Sequence, residues 1–482
     1  MNLPSTILAC GLALAAPFCQ AQPDYALHAA RVAPAKPDPA IAKALQTITA
    51  ARIEQTIKTL VRFGTRNTLS SMETDLPRGQ GINAAADWIT EQFEQISKQC
   101  GGCLEVRRDV FIANPAQGGA WAGRIPQPTR ITNVYAILQG TDPVQAKRMY
   151  LVTGHYDSRN SNVLDARGAA PGANDDGSGV AVSLECARAL SKMRFPATLV
   201  FVAVAGEEQG LFGSAHLAHL AREQDWHLEA VLNNDIVGGN TTPGDRLQLK
   251  DRVRVFSEGI PATATAAQMR RLLALGQLSD SPSRELARAV ADTARSYFPA
   301  GSGSPFSAFL VFRPDRYLRG GDQSSFNDEG FAAVRLTEWR EDYNHQHQNV
   351  VYPAAGSHAP ILGDLPQFVD FHYVARVARL NAATLATLAS APGQPRKVTI
   401  DVRNLENTTT LRWKAPAGAG AGVHYEVLWR ETTAPDWQFV KTVEPGKPGG
   451  IVSVTLPISK DNVIFGVRSV DAAGHRSLAV VP

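Results

Sequence analysis

Residues 149–158 read Met-Tyr-Leu-Val-Thr-Gly-His-Tyr-Asp-Ser, and residues 198–208 read Thr-Leu-Val-Phe-Val-Ala-Val-Ala-Gly-Glu-Glu. Each is a short apolar run that ends in residues able to hold a metal or move a proton. A run of this length without polar alternation suits a strand buried on both faces. Helical periodicity runs from Val180 to Met193, between the two strands, and from Leu211 to Leu220, after the second. Ala230 to Asn233 and Phe331 to Leu336 read as further strands of the same kind. Upstream, Ile82, Ala86, Ile89, Phe93 and Ile96 recur at spacings of three and four, an amphipathic helix; Leu104 to Ala113 and Asn133 to Leu138 read as strands. Gln367 to Ala389 reads as a long closing helix. Strands alternating with helices predict an α/β fold, a mostly parallel sheet sandwiched by helices.

The chain is 482 residues long, which predicts two or three domains. Ile7 to Ala16 are apolar or small, and Cys19-Gln20-Ala21 offers small residues for cleavage, so residues 1–21 read as a signal peptide, although no Lys or Arg precedes the apolar run. That expectation places the protein outside the cytoplasm, secreted or periplasmic. No later stretch reaches membrane-spanning length. Residues 22–44 are an Ala- and Pro-rich lead-in, residues 45–390 carry the α/β pattern, and about 240–320 read as an insertion with a helix near Ser283 to Tyr297. After the linker Ala391-Pro-Gly-Gln-Pro395 the period changes to two: Leu411 and Trp413 alternate, as do Val423, Tyr425, Val427 and Trp429, and Phe465 and Val467. Residues 396–482 thus predict a small β-sandwich similar to a fibronectin type III module. A chain ending near Pro392 is expected to fold without it.

A net charge of +3 gives no electrostatic reason to expect nucleic acid. Signal cleavage leaves Cys100, Cys103 and Cys186. Cys100-Gly-Gly-Cys103 favours a local disulfide over half of a zinc knuckle or a redox motif. Cys186, inside a helix, reads as a small buried hydrophobe.

Residues that suit one chemistry collect just past the predicted strand ends: His155 and Asp157, Glu207 and Glu208, Asp235, and later His345 and His347, with Asp175-Asp176 in the loop after the first of these strands. In open α/β sheets ligands bind at the carboxyl ends of the strands, so these positions converge. Imidazoles and carboxylates are the non-thiolate ligands of zinc. Two His and three carboxylates can hold two ions if one carboxylate bridges, and four positive charges against three negative ones favour a hydroxide as well. Two ions about 3.5–4 Å apart activate water and clamp a developing oxyanion. One more carboxylate must move protons, and adjacent Glu207 and Glu208 offer one residue for each task.

The words VTGHYDS, PGANDDGSG, AGEEQGLFGS, NND and a late His, in this order across roughly residues 45–390, resemble the co-catalytic di-zinc aminopeptidase family, a group that includes bacterial leucyl aminopeptidases, glutamate carboxypeptidases and glutaminyl cyclases. GGDQSSFNDEGFAAVRLTE also resembles the stretch ahead of that family's last ligand. The resemblance implies two Zn²⁺ per chain, one held by His155, Asp175 and Asp235, the other by Asp175, Glu208 and one of His345 and His347. It makes Glu207 the general acid/base and Asp157 the residue that orients His155. Asp175 rather than Asp176 bridges, because the family's bridging Asp stands three residues before Ser-Gly. The last ligand departs from the family's His-Thr-x-x-Asp: DYNHQHQNV has no Thr, and only His345 has a polar partner, Asn349, four residues on.

The expected activity is hydrolysis of N-terminal peptide bonds in peptide or protein substrates. The alternatives are a carboxypeptidase using arginines between Arg252 and Arg319 as a carboxylate pocket, a one-zinc glutaminyl cyclase, and a non-catalytic binding ectodomain. Those arginines read as a solvated face on the plainer view. His216 and His219, and the isolated His227, His358, His372, His424 and His475, read as packed or solvated, and Trp413 and Trp429 as sandwich core. The sequence is silent on oligomeric state.

Overall fold

The computed structural model describes residues 23–27, 29–115, 123–420, 422–446 and 450–482; the expected signal segment lies outside them. The chain runs through strand β1 (Ala30–Arg31), helices α1 (Pro39–Leu45), α2 (Ala50–Arg62) and α3 (Gly81–Gln99), and strands β2 (Leu104–Ala113) and β3 (Thr129–Leu138). Then follow β4 (Arg148–His155), α4 (Gly177–Leu190), β5 (Thr198–Val204), α5 (Phe212–Glu223) and β6 (His227–Asn234). Next come β7 (Arg252–Ser257), α6 (Ala266–Leu275), α7 (Pro282–Tyr297), β8 (Ser307–Val311), α8 (Asp322–Asp328), β9 (Ala333–Thr337) and α9 (Phe371–Ser390).

Strands β2 to β9 form one sheet in the order β2-β3-β5-β4-β6-β9-β7-β8. Its centre, β5-β4-β6-β9, is parallel. The flanks turn antiparallel, through β2 and β3 on one side and through β7 against β9 on the other. The sheet is therefore mixed around a parallel middle. Successive side chains of a strand face opposite ways, and β5 shows the result: Leu199, Phe201 and Ala203 join a core with α2, α4 and α9, whereas Val200, Val202 and Val204 join one with α5 and Phe326 of α8. Residues 240–320, read as an insertion, supply two of the sheet's strands, β7 and β8.

The tail holds β10 (Arg396–Ile400), β11 (Thr409–Lys414), β12 (His424–Glu431), β13 (Phe439–Val443), β14 (Ile451–Leu456) and β15 (Val463–Val470). They form two antiparallel sheets, β10-β11-β14 and β1-β13-β12-β15, over a shared core containing Trp413, Tyr425, Trp429 and Phe465. The lead-in is part of this body: β1 pairs with β13, and the Tyr25 carbonyl accepts a hydrogen bond from Trp429 Nε1 at 2.9 Å. Cys100 and Cys103 are disulfide-bonded just past α3, and Cys186 is buried in α4. No helix among the described residues is long and apolar enough to cross a membrane.

Candidate metal centre

The parallel strands deliver their polar residues to one edge. His155 is the last residue of β4, Glu207 and Glu208 follow the end of β5, and Asp235 follows β6 directly. The start of α4 is packed into the same place. Asp176 caps it, accepting from Gly179 N at 2.9 Å, and its other oxygen accepts from His155 N at 3.0 Å. A Cβ on Gly179 would stand 2.1 Å from the Asn234 carbonyl oxygen, so only glycine lets the helix start lie against the end of β6. With Asp176 used as cap, Asp175 is left to face the cluster.

Asp175 lies between two groups of donors. Its Oδ1 is 3.1 Å from His155 Nε2, and its Oδ2 is 2.9 Å from His347 Nε2. Asp235 Oδ1 lies 3.9 Å from His155 Nε2, and Glu208 Oε2 lies 3.0 Å from His347 Nε2. Glu207 also places a carboxylate oxygen within 4.8 Å of the donor atoms of His155 and Asp235. A tetrahedral zinc with bonds of about 2.0–2.2 Å separates its ligand atoms by roughly 3.3–3.6 Å, which these edges bracket. His155 Nε2 and Glu208 Oε1 are buried without a hydrogen-bond partner, as atoms reserved for a metal would be. The residues fit zinc.

Electrostatics point the same way. Burial alone would raise the Asp175 carboxyl, but His155 and His347 outweigh it and hold it well below the usual range. Asp235 is likewise lowered against its burial, by Arg335 and His155. Glu207 goes the other way: burial, with Asp235 and Glu208 adding to it and His155 opposing, holds its carboxyl well above the usual range.

Of the two late histidines, His347 joins the cluster and His345 does not. The His345 ring stacks on Phe368 at 3.6 Å, and its Nδ1 meets Asn240 Oδ1 at 3.0 Å. The spacing to Asn349 misleads because that side chain accepts from Ser161 Oγ, at 3.0 Å, and serves neither histidine. Asp157 sits where an orienting residue should: its Oδ1 is 3.4 Å from His155 Nδ1, and its Oδ2 accepts from Glu208 N and Thr68 Oγ1, each at 3.1 Å. His216 stacks on Phe111 and pairs with Asp109, and His219 lies between Glu223 and Glu329.

Several residues of the centre escaped the sequence reading. Asp364 accepts from the backbone N–H groups of Asn174 and Asp175, at 2.8 and 2.7 Å. Gln346 Nε2 donates to Asp175 Oδ2 at 3.1 Å. Arg66 is fully buried and ties together the carbonyls of Tyr156, Pro171 and Gly172. Arg335 Nη1 reaches Asp235 Oδ2 at 2.8 Å, and Arg159 Nε reaches Glu208 Oε2 at 3.0 Å. Asp322, at the start of α8, is pushed up to about 7 by burial against the pull of His155. Arg335 had a signal, a charge in the middle of an otherwise apolar strand; the others are lone polar residues in loops or at element ends. Since Asp364 holds the backbone N–H of Asp175, Asp364→Ala is expected to weaken zinc binding about 10–100-fold, measured by chelator competition.

A buried set of imidazoles and carboxylates in two groups, at the carboxyl ends of a parallel sheet, defines the centre of a metal-dependent hydrolase. Residues 133–353 match the model of peptidase family M28. The chain is 46% identical over 453 residues to a probable zinc metalloprotease of Pyricularia oryzae, covering 92% of this chain and 85% of that protein. It is 43% identical over 447 residues to one of Leptosphaeria maculans, covering 92% and 97%. Among solved structures, the LapA aminopeptidase of Legionella pneumophila is similar at 19% identity, with a TM-score of 0.47 over 73% of each chain. The chain belongs to peptidase family M28 and is a zinc metallopeptidase.

Proposed function

We propose that the protein is a secreted aminopeptidase that uses two zinc ions, with Glu207 as general acid/base, and that its tail is a fibronectin type III-like sandwich. The observation that carries the two-ion reading is Asp175, whose two oxygens face the two histidines at 3.1 and 2.9 Å. His155 and Asp235 would complete one ligand set, Glu208 and His347 the other. Bound zinc supplies Lewis acidity and lowers the pKa of a water.

The chain's own groups do the rest. The Asp157 backbone carbonyl, 3.2 Å from His155 Nδ1, holds the ring, with the Asp157 carboxylate beside it at 3.4 Å, so Nε2 faces inward. Glu207, whose carboxyl burial holds above its usual range, suits a group that takes a proton from water and returns it to the leaving amine. Of the arginines a carboxypeptidase pocket would draw on, Arg254, Arg316 and Arg319 converge on Glu341, and Arg288 is buried with Glu285 and Asp280, which weighs against those four serving it. A complete second ligand set weighs against a one-zinc cyclase and against a non-catalytic ectodomain. The Cys100–Cys103 disulfide supports an oxidising compartment.

The test is a peptide library on zinc-loaded protein, with products identified by mass. Removal of single N-terminal residues is expected, with chelation abolishing it and zinc restoring it. Internal cleavage, C-terminal trimming, or unchanged turnover after elemental analysis shows only trace metal would overturn the reading.

A further inference from the structure

Two loops leave the metal centre and meet outside it. The first runs from the end of β8 to the start of α8. Its Gly321 packs directly on the arginine that holds Asp235: a Cβ there would stand 2.5 Å from Arg335 Nη1. Arg335 Nη1 and Arg316 Nη2 both donate to the Gly320 carbonyl, at 3.1 and 3.2 Å. The second loop leads into His347 and closes a tight turn, in which the N–H groups of His345 and Gln346 donate to the Asp342 carbonyl at 3.0 and 3.1 Å. The buried Glu341 side chain locks the loops together, pairing with Arg316 at 2.9 Å and Arg319 at 3.2 Å. The Arg319 guanidinium in turn lies 5.9 Å from the centroid of the Tyr343 ring. What this arch turns outward is apolar: Tyr317 is 74% exposed, Leu318 91% and Tyr343 62%. Leu318 also has φ of 56°, a left-handed conformation that costs a leucine energy. Arg319 N, which donates to the Arg316 carbonyl at 3.0 Å, helps to hold the turn there. Strain of this kind collects at ligand-binding sites, and a leucine so far out of the core gives the folded chain nothing in return.

We propose that Tyr317, Leu318 and Tyr343 form a rim that binds the peptide substrate beyond the residue being removed, so that the enzyme favours oligopeptides with apolar side chains in that stretch over dipeptides. This rests on the aminopeptidase reading above. The occupant is the substrate because the rim is continuous with the metal centre of a peptidase: one of its loops packs on the arginine of Asp235, and the other supplies His347. Side chains this exposed stand outside any pocket for a single N-terminal residue. Leu318 is three residues from Gly321, so it lies within roughly 10 Å of the residue packed on Arg335, the reach of about three extended residues of substrate. Two tyrosines flanked by arginines, Arg313 at 5.3 Å from the Tyr317 ring and Arg319 beside Tyr343, are the residue types that dominate binding hot spots. A passing apolar side chain would bury surface on the rim that the free enzyme leaves in water.

The experiment gives the zinc-loaded full chain two substrates: a dipeptide, and a ten-residue peptide with the same first two residues and leucine or phenylalanine at positions four to six. Products are identified by mass. In the wild type the longer peptide is expected to have the lower KM. Tyr317→Ser combined with Leu318→Ser should raise that KM about tenfold or more, the scale of losing two apolar contacts. The same variant should leave kcat on the long peptide, and kcat/KM on the dipeptide, within about twofold. Tyr343→Ser should act in the same direction. Leu318→Gly, which suits the left-handed backbone, should raise the long-peptide KM without lowering the thermal midpoint, which separates a lost contact from a damaged turn. A wild-type KM no lower for the long peptide, a long-peptide KM that the double variant leaves unchanged, or equal losses on both substrates overturn the proposal. No release of the N-terminal residue from either substrate by the wild type overturns the aminopeptidase reading itself, and this proposal with it.

Discussion

Glu207→Gln is expected to lower kcat by about 10²–10⁴ while the zinc content stays at the wild-type value. The two adjacent glutamates are committed to different partners. The Glu208 carboxylate turns to His347 and Arg159. Glu207 stays on the side of His155 and Asp235, with no arginine bound to it among the described residues. Gln keeps the shape of Glu207 and removes its capacity to take a proton. Burial and the neighbouring carboxylates raise Glu207, so in the parent kcat/KM should rise with pH as this group deprotonates; the variant should lose that acid limb. Elemental analysis beside steady-state kinetics checks both parts. Because Glu207 lies within ligand reach of His155 and Asp235, loss of a zinc with the substitution would make it a ligand and leave the general base to be found elsewhere. Turnover within a few-fold of the parent would remove it from the mechanism.

The part of the centre that lies at strand ends was legible because the sheet makes it so. A buried parallel strand can carry few polar residues within it, so His155, Glu207, Glu208 and Asp235 stand out at the boundary. Asp175 was separable from Asp176 only by resemblance; the structure supplies the physical reason, since the cap of α4 takes Asp176. Which late histidine joins the cluster was not legible. His345 and His347 lie in one turn, His347 with φ of 55°, and no periodic pattern reports which ring faces inward there. Asp364, Gln346 and Arg159 reach the centre from loops, where spacing carries no information about direction. Strand β7 was a different kind of miss: Arg-Val-Arg-Val does alternate, with Val253 and Val255 buried, but Arg252 and Arg254 pair with Asp251 and Glu341 and made the stretch look like a charged surface insertion.

Arg430→Ala is expected to destabilise the intact protein by roughly 3–5 kcal/mol, the scale for breaking one partner out of a buried ion pair. The composition of the tail leads one to expect a sandwich that folds apart from the catalytic body, and the interface carries more than that. Arg430 is 1% exposed and reaches from β12 to Asp280, just ahead of α7, at 2.5 Å. Trp437 Nε1 donates to Glu285 at 2.9 Å, and Arg468 of β15 donates to Asp292 at 3.0 Å. Removing the Arg430 guanidinium leaves Asp280 with Arg288 at 3.4 Å and strips the donor from the carbonyls of Glu431, Thr432 and Ala434. Denaturant unfolding of full-length protein measures the loss. Adding Asp280→Ala to Arg430→Met should recover only part of it, because the alanine removes the stranded carboxylate but methionine cannot cap the three carbonyls. A change below about 1 kcal/mol in Arg430→Ala would mean that water reaches this interface as it does a surface pair, and the catalytic body would then be expected to stand without its tail. A large loss predicts instead that a chain ending at Pro392, with α7 uncovered and β1 deprived of β13, accumulates as aggregate whatever the state of its metal centre.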